Sequence, residues 1–513
     1  MLCYNNIINN KGVFDMSFQP TQEQQEIIDF ALTGNDLIVQ AYAGCGKSST
    51  LALVGKALQT QNKRGIYLAF NKDVANDAKN KMSSNVECST VHSLAYRNTD
   101  KKLIAKLKYR NIYPSQSADR YGIEFLDTNV QLPLGDIEDK KFSPTQILTM
   151  AKNTVKNYCN SADDEITLDH VQLIDMGHTS IIQGEGELIK QVFKYAKMHW
   201  KDIINHKSET PLTHDAYLKL YSMSECNLNI DFIMADEFQD VNPCILNILE
   251  KQSCQKLLVG DSFQSIYQWR GAINAMELFD YKQLYLTKTF RFGNQMSVLA
   301  NLILSLQNAD KPLIDNGDGV NKISPKVFDC YIYRTNQGAL EKYIQLLNDG
   351  VRPYLNVNVD EIKQFIQHYF GLDKGWDIKR PHSLLTGFNK TRDVLEYLEE
   401  NDDRDLAKFV KLCINNGYGL IHKLDNMPDI DTADCILMTA HKSKGLEYNT
   451  VFIGDDFNLT EDDDELGTVP TINEMELNLA YVAVTRAKKY IDCSGMAGFF
   501  DLINYDGVEV VVS

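Results

Sequence analysis

No apolar run of about 18 residues occurs in the chain, and no leader-like succession of basic, apolar and small residues opens it. The sequence is therefore expected to be neither a helical membrane protein nor a secreted one. The 11 cysteines are odd in number and scattered, with no CxxC pair among them. That pattern excludes a disulfide framework and a zinc ribbon, and leaves reduced, mostly buried thiols. An excess of positive charge is also lacking. Lys+Arg number 52 against 69 Asp+Glu, for a net charge of -17, which rules out a surface coated in basic groups for indiscriminate duplex binding. Any contact with nucleic acid is thus expected to be confined to a local groove.

What is present is an ordinary globular composition, with 44% hydrophobic and 24% charged residues over 513 positions. Neither disorder nor a membrane class is indicated, and the length suggests three or four folding units. An intracellular, soluble protein of the cytoplasm or nucleus is expected. Met16 stands just before the first motif, so Met1 to Asp15 reads as a dispensable extension or an alternative start.

Three short apolar strands end in residues with chemistry. The first, Asp36 to Ala41, feeds Ala43, Gly44, Cys45, Gly46, Lys47, Ser48 and Ser49. Glycine at 44 and 46 lets backbone N–H groups approach phosphate oxygens, Lys47 supplies a point charge, and the Ser48 hydroxyl can ligate Mg²⁺. Ala41 replaces the first glycine of the general pattern. The second strand, Ile233 to Ala235, ends in Asp236 and Glu237, adjacent carboxylates at the carboxyl end of a parallel strand, where α/β sheets bind ligands. Asp236 suits a magnesium shell and Glu237 the polarisation of an attacking water. The third, Lys256 to Val259, leads to Gln264, an amide able to sense a γ-phosphate, and on to Tyr267, Trp269 and Arg270. Trp269 reads either as a base-stacking face beside a cation or as a core tryptophan.

Taken in order, these segments resemble the motor motifs of UvrD-like superfamily 1 helicases. Gln24 sits where that family keeps an adenine-reading glutamine. Phe70 with Asn71, and His92 within Ser89-Thr90-Val91-His92-Ser93, resemble strand-contacting motifs of the first motor domain. Phe290-Arg291 resembles a motif whose aromatic stacks on adenine and whose arginine reaches the γ-phosphate; here the aromatic is Phe, where Tyr is common. Arg334 and Asn336 begin a segment similar to the second motor domain's strand surface. In Leu437 to Glu447 the resemblance implies that Thr439 and His441 face nucleic acid and that Gly445 and Glu447 approach the nucleotide. Arg486, in Asn478 to Lys489, is implied as a second arginine on the γ-phosphate.

Finer matches, among them Phe70-Asn71-Lys72, Ser161 to Glu165, Thr213 to Leu220 and Phe290-Arg291-Phe292-Gly293, resemble the helicase portion of the F-box DNA helicase family. The resemblance covers roughly residues 18 to 495. No F-box, nuclease motif or zinc cluster is expected from this sequence, so a ubiquitin-ligase role is not among the expectations.

The fold implied is α/β, with two RecA-like P-loop motor domains built on parallel sheets, each interrupted by an inserted, mainly helical or mixed subdomain. The expected division is an extension at 1–17, a first motor domain at 18–97 and 211–285, an insertion at 98–210, a second motor domain at 286–337 and 434–513, and a short insertion at 338–433. Asp462 to Glu465 reads as a solvated acidic loop. The cofactors implied are ATP and Mg²⁺, with ATP between the two sheets. The partners implied are single-stranded DNA, single-strand/duplex junctions, and recombinase or single-strand-binding proteins, with no membrane. Movement of one nucleotide per ATP from 3′ to 5′ is an implication of the resemblance alone. A protein-displacing translocase, a nucleotide-controlled binding protein and an RNA track remain alternatives.

Overall fold

The computed structural model describes residues 19–69, 71–110, 114–131, 137–173, 186–268, 271–317, 325–376, 378, 381–385, 388–400, 404–457, 471–497 and 509–511. The chain divides into two compact units, one taking residues up to 126, 141–172 and 186–290, the other 127–140, 173–185 and 291 onward.

The first unit is built on a six-stranded sheet. Its strands are β1 (Leu37–Ala41), β2 (Gly65–Ala69), β3 (Val86–Thr90), β4 (Phe232–Ala235), β5 (Gln255–Gly260) and β6 (Lys282–Leu286). They run in the order β3-β2-β4-β5-β1-β6, all parallel. Continuous apolar strands such as Leu37-Ile38-Val39 belong in a sheet covered on both faces, and β1, β2, β4 and β5 are buried at every position. Because every strand points the same way, their carboxyl ends meet along one edge. The residues read from sequence as chemical lie there.

Between β3 and β4 stand helices that include α3 (Pro144–Asn160) and α4 (Glu187–Ile204). Ser143 starts α3 with a reciprocal capping box to Gln146, which satisfies two of the amides a helix start leaves open. The end of α4 is closed by a buried cation. Lys106 is fully buried, and its Nζ donates to the carbonyls of Asp202, Ile203 and Asn205 at 2.9, 2.7 and 2.7 Å. A charge out of water persists only when its donors are matched, and here all three are. Lys106→Met strands three carbonyls, so it is expected to lower the opening free energy of this region by about 3 kcal/mol. Hydrogen exchange at the last turn of α4 measures this, and unchanged protection there would refute the capping role.

The second unit holds a five-stranded parallel sheet of β7 (Cys330–Tyr333), β8 (Pro353–Asn356), β9 (Cys435–Thr439), β10 (Tyr448–Ile453) and β11 (Ala487–Asp492), in the order β8-β9-β7-β10-β11. It is flanked by α5 (Asn336–Asn348) and α6 (Glu474–Val484). Pro353–Asn356 joins the edge of this sheet beside β9, although it falls in the segment 338–433 expected to be inserted. The helices of the insertion begin only at Val359 and end at Asp425.

The ten described cysteines are free, and all but Cys254 and Cys493 are buried. Among the described residues no helix is long and apolar enough to cross a membrane. The acidic run Asp462 to Glu465 and the first 15 residues lie outside the described residues.

Candidate nucleotide and strand sites

From β1 the chain turns through Gly44 and Gly46, at φ +74° and +80°. Side chains other than glycine rarely adopt this backbone. Gly46 is the N-cap of α2 (Lys47–Thr60), and no side chain caps that helix. The opening N–H groups of a helix have no intrahelical acceptor and carry the positive end of its dipole. An uncapped start of a 14-residue helix is therefore a ready cradle for phosphate oxygens. Along this loop Ala43 and Cys45 are buried, Ser48 is half-buried and Ser49 is exposed.

Lys47 lies among carboxylates. Its Nζ is 3.1 Å from Glu237 Oε1. Burial pushes its ammonium toward neutrality, but Glu237, Asp236 and Asp261 together outweigh burial and hold its pKa above the ordinary lysine value. Asp236 follows β4. Its carboxylate accepts from the Tyr67 hydroxyl at 2.5 Å and from the Glu237 amide at 3.0 Å. Burial, then the neighbouring Glu237, raises the pKa of Asp236 against the pull of Lys47.

Glu237 itself has left-handed backbone, φ +54° and ψ +43°. That conformation costs a non-glycine residue roughly 1–2 kcal/mol and turns the chain sharply out of the strand end. Gln239 Nε2 donates to its Oε2 at 2.6 Å. Gln264 is buried at the next strand end, and its amide donates to Asp261 Oδ2 at 2.6 Å. Burial pushes Asp261 up to about 6, although Lys47 and the Gln264 amide oppose it. Among the described residues Lys47 supplies counter-charge to these carboxylates and no three acidic groups converge on one point, so a divalent cation here would share its shell with phosphate oxygens. Ser48 and Asp236 are the residues that would hold it.

Gln24 and Phe290 come to the other side of the loop. Gln24 is buried; it shares a capping box with Thr21 and donates to Thr50 Oγ1 at 3.0 Å. The Phe290 amide donates to the Gly44 carbonyl at 2.9 Å, and its ring is 43% exposed. A Cβ at Gly46 would stand 3.3 Å from the Phe290 ring and 3.5 Å from Gln24 Nε2. One open aromatic face and one buried amide thus border the phosphate loop, as a purine ring requires.

Farther along the edge, a cavity of about 490 Å³ runs from Asp236 and Glu237 to His92 and Tyr267. Among the described residues, the buried Nδ1 of His92 has no hydrogen-bond partner. Burial lowers the pKa of His92, partly offset by Asp215. Asn71 is exposed, but its side chain already caps the helix Lys72–Lys79 by accepting from the Val74 amide at 2.9 Å. Phe70, Trp269 and Arg270 lie outside the described residues.

In the second unit two arginines cluster. Arg291 binds Glu447 through Nε at 2.9 Å and Nη2 at 2.8 Å, and donates from Nη1 to the Thr485 carbonyl at 2.9 Å. The adjacent Arg486 is 1% exposed and donates to the carbonyls of Val482 and Leu446 and to Thr485 Oγ1. Gly445, at φ +83°, is exposed one residue before Leu446.

Thr439 is buried at the end of β9, and His441 lies half-buried in the short helix Ala440–Ser443. Arg334 forks onto Glu476, with Nε at 2.9 and 2.8 Å from its two oxygens and Nη2 at 2.7 Å. Strand phosphate would have to displace that carboxylate. Asn336 is exposed at the start of α5.

Four residues of the first site carried no role in the sequence reading: Tyr67, Gln40, Gln239 and Asp261. Gln40 Nε2 donates to Asp261 Oδ1 at 3.1 Å, and Gln239 Oε1 accepts from the Asp261 amide at 3.0 Å. Asp261 had a usable signal, as the first polar residue after the apolar run Leu257-Leu258-Val259-Gly260.

With this geometry in place, the comparisons with known proteins are specific. A model of the UvrD/REP helicase N-terminal domain matches residues 20–283, and one of the UvrD-like helicase C-terminal domain matches residues 186–494. The chain belongs to the UvrD/REP helicase family. Among relatives, it is 28% identical to F-box DNA helicase protein 1 of Schizosaccharomyces pombe, over 94% of this chain and 57% of that protein. It is 29% identical to F-box DNA helicase 1 of Gallus gallus, over 91% of this chain and 48% of the relative. ATP-dependent DNA helicase PcrA of Staphylococcus epidermidis is 25% identical, over 56% of this chain and 40% of that protein. The chain thus spans about half the length of the F-box relatives it matches.

Proposed function

We propose that this UvrD/REP family member is an ATP-dependent motor on single-stranded DNA that unwinds duplex from a 3′ tail. The observation that carries the reading is Lys47 held by Glu237 beside Asp236 and the uncapped start of α2. A phosphate chain entering there would take Lys47 from Glu237, freeing that carboxylate to orient water and accept its proton. Asp236 and Ser48 would hold Mg²⁺, which supplies charge neutralisation at the phosphates. Gln24 and Phe290 would receive adenine, and Gln264 would report the terminal phosphate through Asp261.

Arg291 and Arg486 are assigned to the γ-phosphate, where an arginine is worth about 10³ to 10⁵ in rate. Gly445 and Glu447, next to them in sequence or contact, are assigned to the nucleotide. His92, Tyr267, Thr439 and His441 are assigned to the strand, along with Phe70, Asn71, Trp269, Arg270, Arg334 and Asn336. The motor domains are proposed at 18–97 with 211–285 and at 286–337 with 434–513, the first extended through Leu286 and the second joined by the strand Pro353–Asn356. Junction DNA, recombinase or single-strand-binding proteins, and an intracellular site of action complete the reading.

The test is ATP turnover with and without single-stranded DNA and RNA, followed by unwinding of substrates tailed on one side only. Stimulation by DNA with 3′-tail unwinding is expected; turnover indifferent to any strand would sink the proposal. The insertion helices between Val359 and Asp425 form a short subdomain. That favours, as a second reading, a translocase that displaces proteins faster than it separates strands, which the same substrates carrying a bound protein would distinguish.

A further inference from the structure

In the first unit, away from the phosphate loop, a cavity of about 310 Å³ opens between α3, α4 and the residues around Thr210. Its size is at the lower end of small-ligand pockets, about 300–1000 Å³. Lys152 and Lys156, one turn apart on α3, share one face of that helix and line the cavity with Arg120. Arg120 is already paired, with Asp202 at 3.1 Å and with the Ser208 hydroxyl at 3.0 Å. Lys152 is not. It is half-buried, burial lowers its pKa, and among the described residues it makes no hydrogen bond or ion pair, although the Asp215 carboxylate lines the same cavity.

Against these three cations stand Asp215 in the lining and Asp202 on Arg120, so the cavity keeps a net positive charge, which a low-dielectric cleft concentrates on an anion. The cavity also meets the larger one beside His92, since Lys156 and Asp215 line both.

We propose that this cavity is a phosphate-binding site, with Lys152 as its central cation and Lys156 and Arg120 beside it. The phosphate is either one in the backbone of the strand whose neighbouring nucleotide lies at His92, or a free inorganic phosphate. The first source rests on the function proposed above; the site itself does not.

His199 is a built-in reporter. Its Nδ1 is 3.1 Å from the Tyr121 hydroxyl. Burial first, then Lys152 and Arg120, push its pKa down to about 4, with Asp202 pulling the other way. An anion seated on Lys152 offsets the cations and raises the pKa of His199.

The experiment follows the ring resonances of His199, identified by their loss in His199→Gln, while pH is varied with no addition, with inorganic phosphate, and with oligothymidylate. In parallel, oligothymidylate affinity is measured against salt for the parent, Lys152→Met, Lys152→Arg and the surface variant Lys156→Gln. The His199 pKa is expected to rise with the strand. Lys152→Met should abolish that rise and take about 0.7 from the logarithmic salt slope, the share of one phosphate contact on a single strand. Lys152→Arg should keep both, and Lys156→Gln should reduce both.

Because Lys152→Met removes an unmatched charge, it should melt no earlier than the parent. A rise with inorganic phosphate but not with oligothymidylate keeps the site and assigns it to the free anion. Failure to bind oligothymidylate at all would defeat the proposed function, while the phosphate arm still decides the site. A His199 titration unmoved by either anion, or equally moved in Lys152→Met, overturns the proposal.

Discussion

Glu237→Gln binds ATP within a few-fold of the parent and hydrolyses it about 10²- to 10⁴-fold more slowly, the range a positioned general base contributes. The amide keeps the shape of the carboxylate and can still contact Gln239, so the turn after β4 is retained. What it loses is the ability to take a proton and the charge that draws Lys47 to 3.1 Å when no phosphate is present. Nucleotide binding and turnover, measured separately, give the two halves of the prediction. Turnover near that of the parent would move the water-activating role to another group, with Asp236 or Asp261 next in line.

Lys47→Ala has a larger effect on binding and a different signature. Turnover falls below detection and ATP affinity collapses, while oligothymidylate is bound as before in the absence of nucleotide. The substitution also removes the cation that pairs with Glu237 and acts on Asp236 and Asp261. Asp261 is already pushed up to about 6 by burial, above the roughly 3.9 of an unfolded aspartate, and loss of Lys47 raises it further.

The sign of the stability change follows. A carboxyl whose folded pKa lies above its unfolded one favours the folded state most when protonated, and that favour is lost as pH rises through the folded pKa. Lys47→Ala is therefore less stable than the parent at neutral pH, and the gap narrows as pH falls through 6 toward 4. Melting temperatures of both proteins across that range check it. A gap independent of pH would mean that Lys47 is not the counter-charge of this cluster.

How far the sequence foretold this site differs from residue to residue. The phosphate loop and the Asp236-Glu237 pair were legible because each lies in one short segment whose order carries its geometry: apolar strand, turn, then chemistry. Tyr67, Gln40 and Gln239 were not, because nothing local marks them. Tyr67 meets Asp236 only because β2 and β4 are neighbours in a sheet ordered β3-β2-β4-β5-β1-β6. Gln40 sits inside an apolar strand and ties β1 to Asp261. In the second unit, the arginines were found from their motifs. Their partners, Glu447 and the Thr485 carbonyl for Arg291, arise from a juxtaposition of segments about 150–200 residues apart that no pattern records. The strand Pro353–Asn356 was hidden for a related reason, since four residues beside an insertion give too little periodicity to read.

The left-handed backbone of Glu237 sets stability and activity against each other at one position. Glycine there would relieve the roughly 1–2 kcal/mol of conformational cost and delete the carboxylate in the same stroke. Selection for heat resistance alone would drift toward glycine at 237 and away from the ATP turnover proposed above. An engineering campaign on this chain should therefore hold that residue fixed and turn to the sheet's opposite edge, where the left-handed non-glycine residue is Asn62, which carries no assigned role.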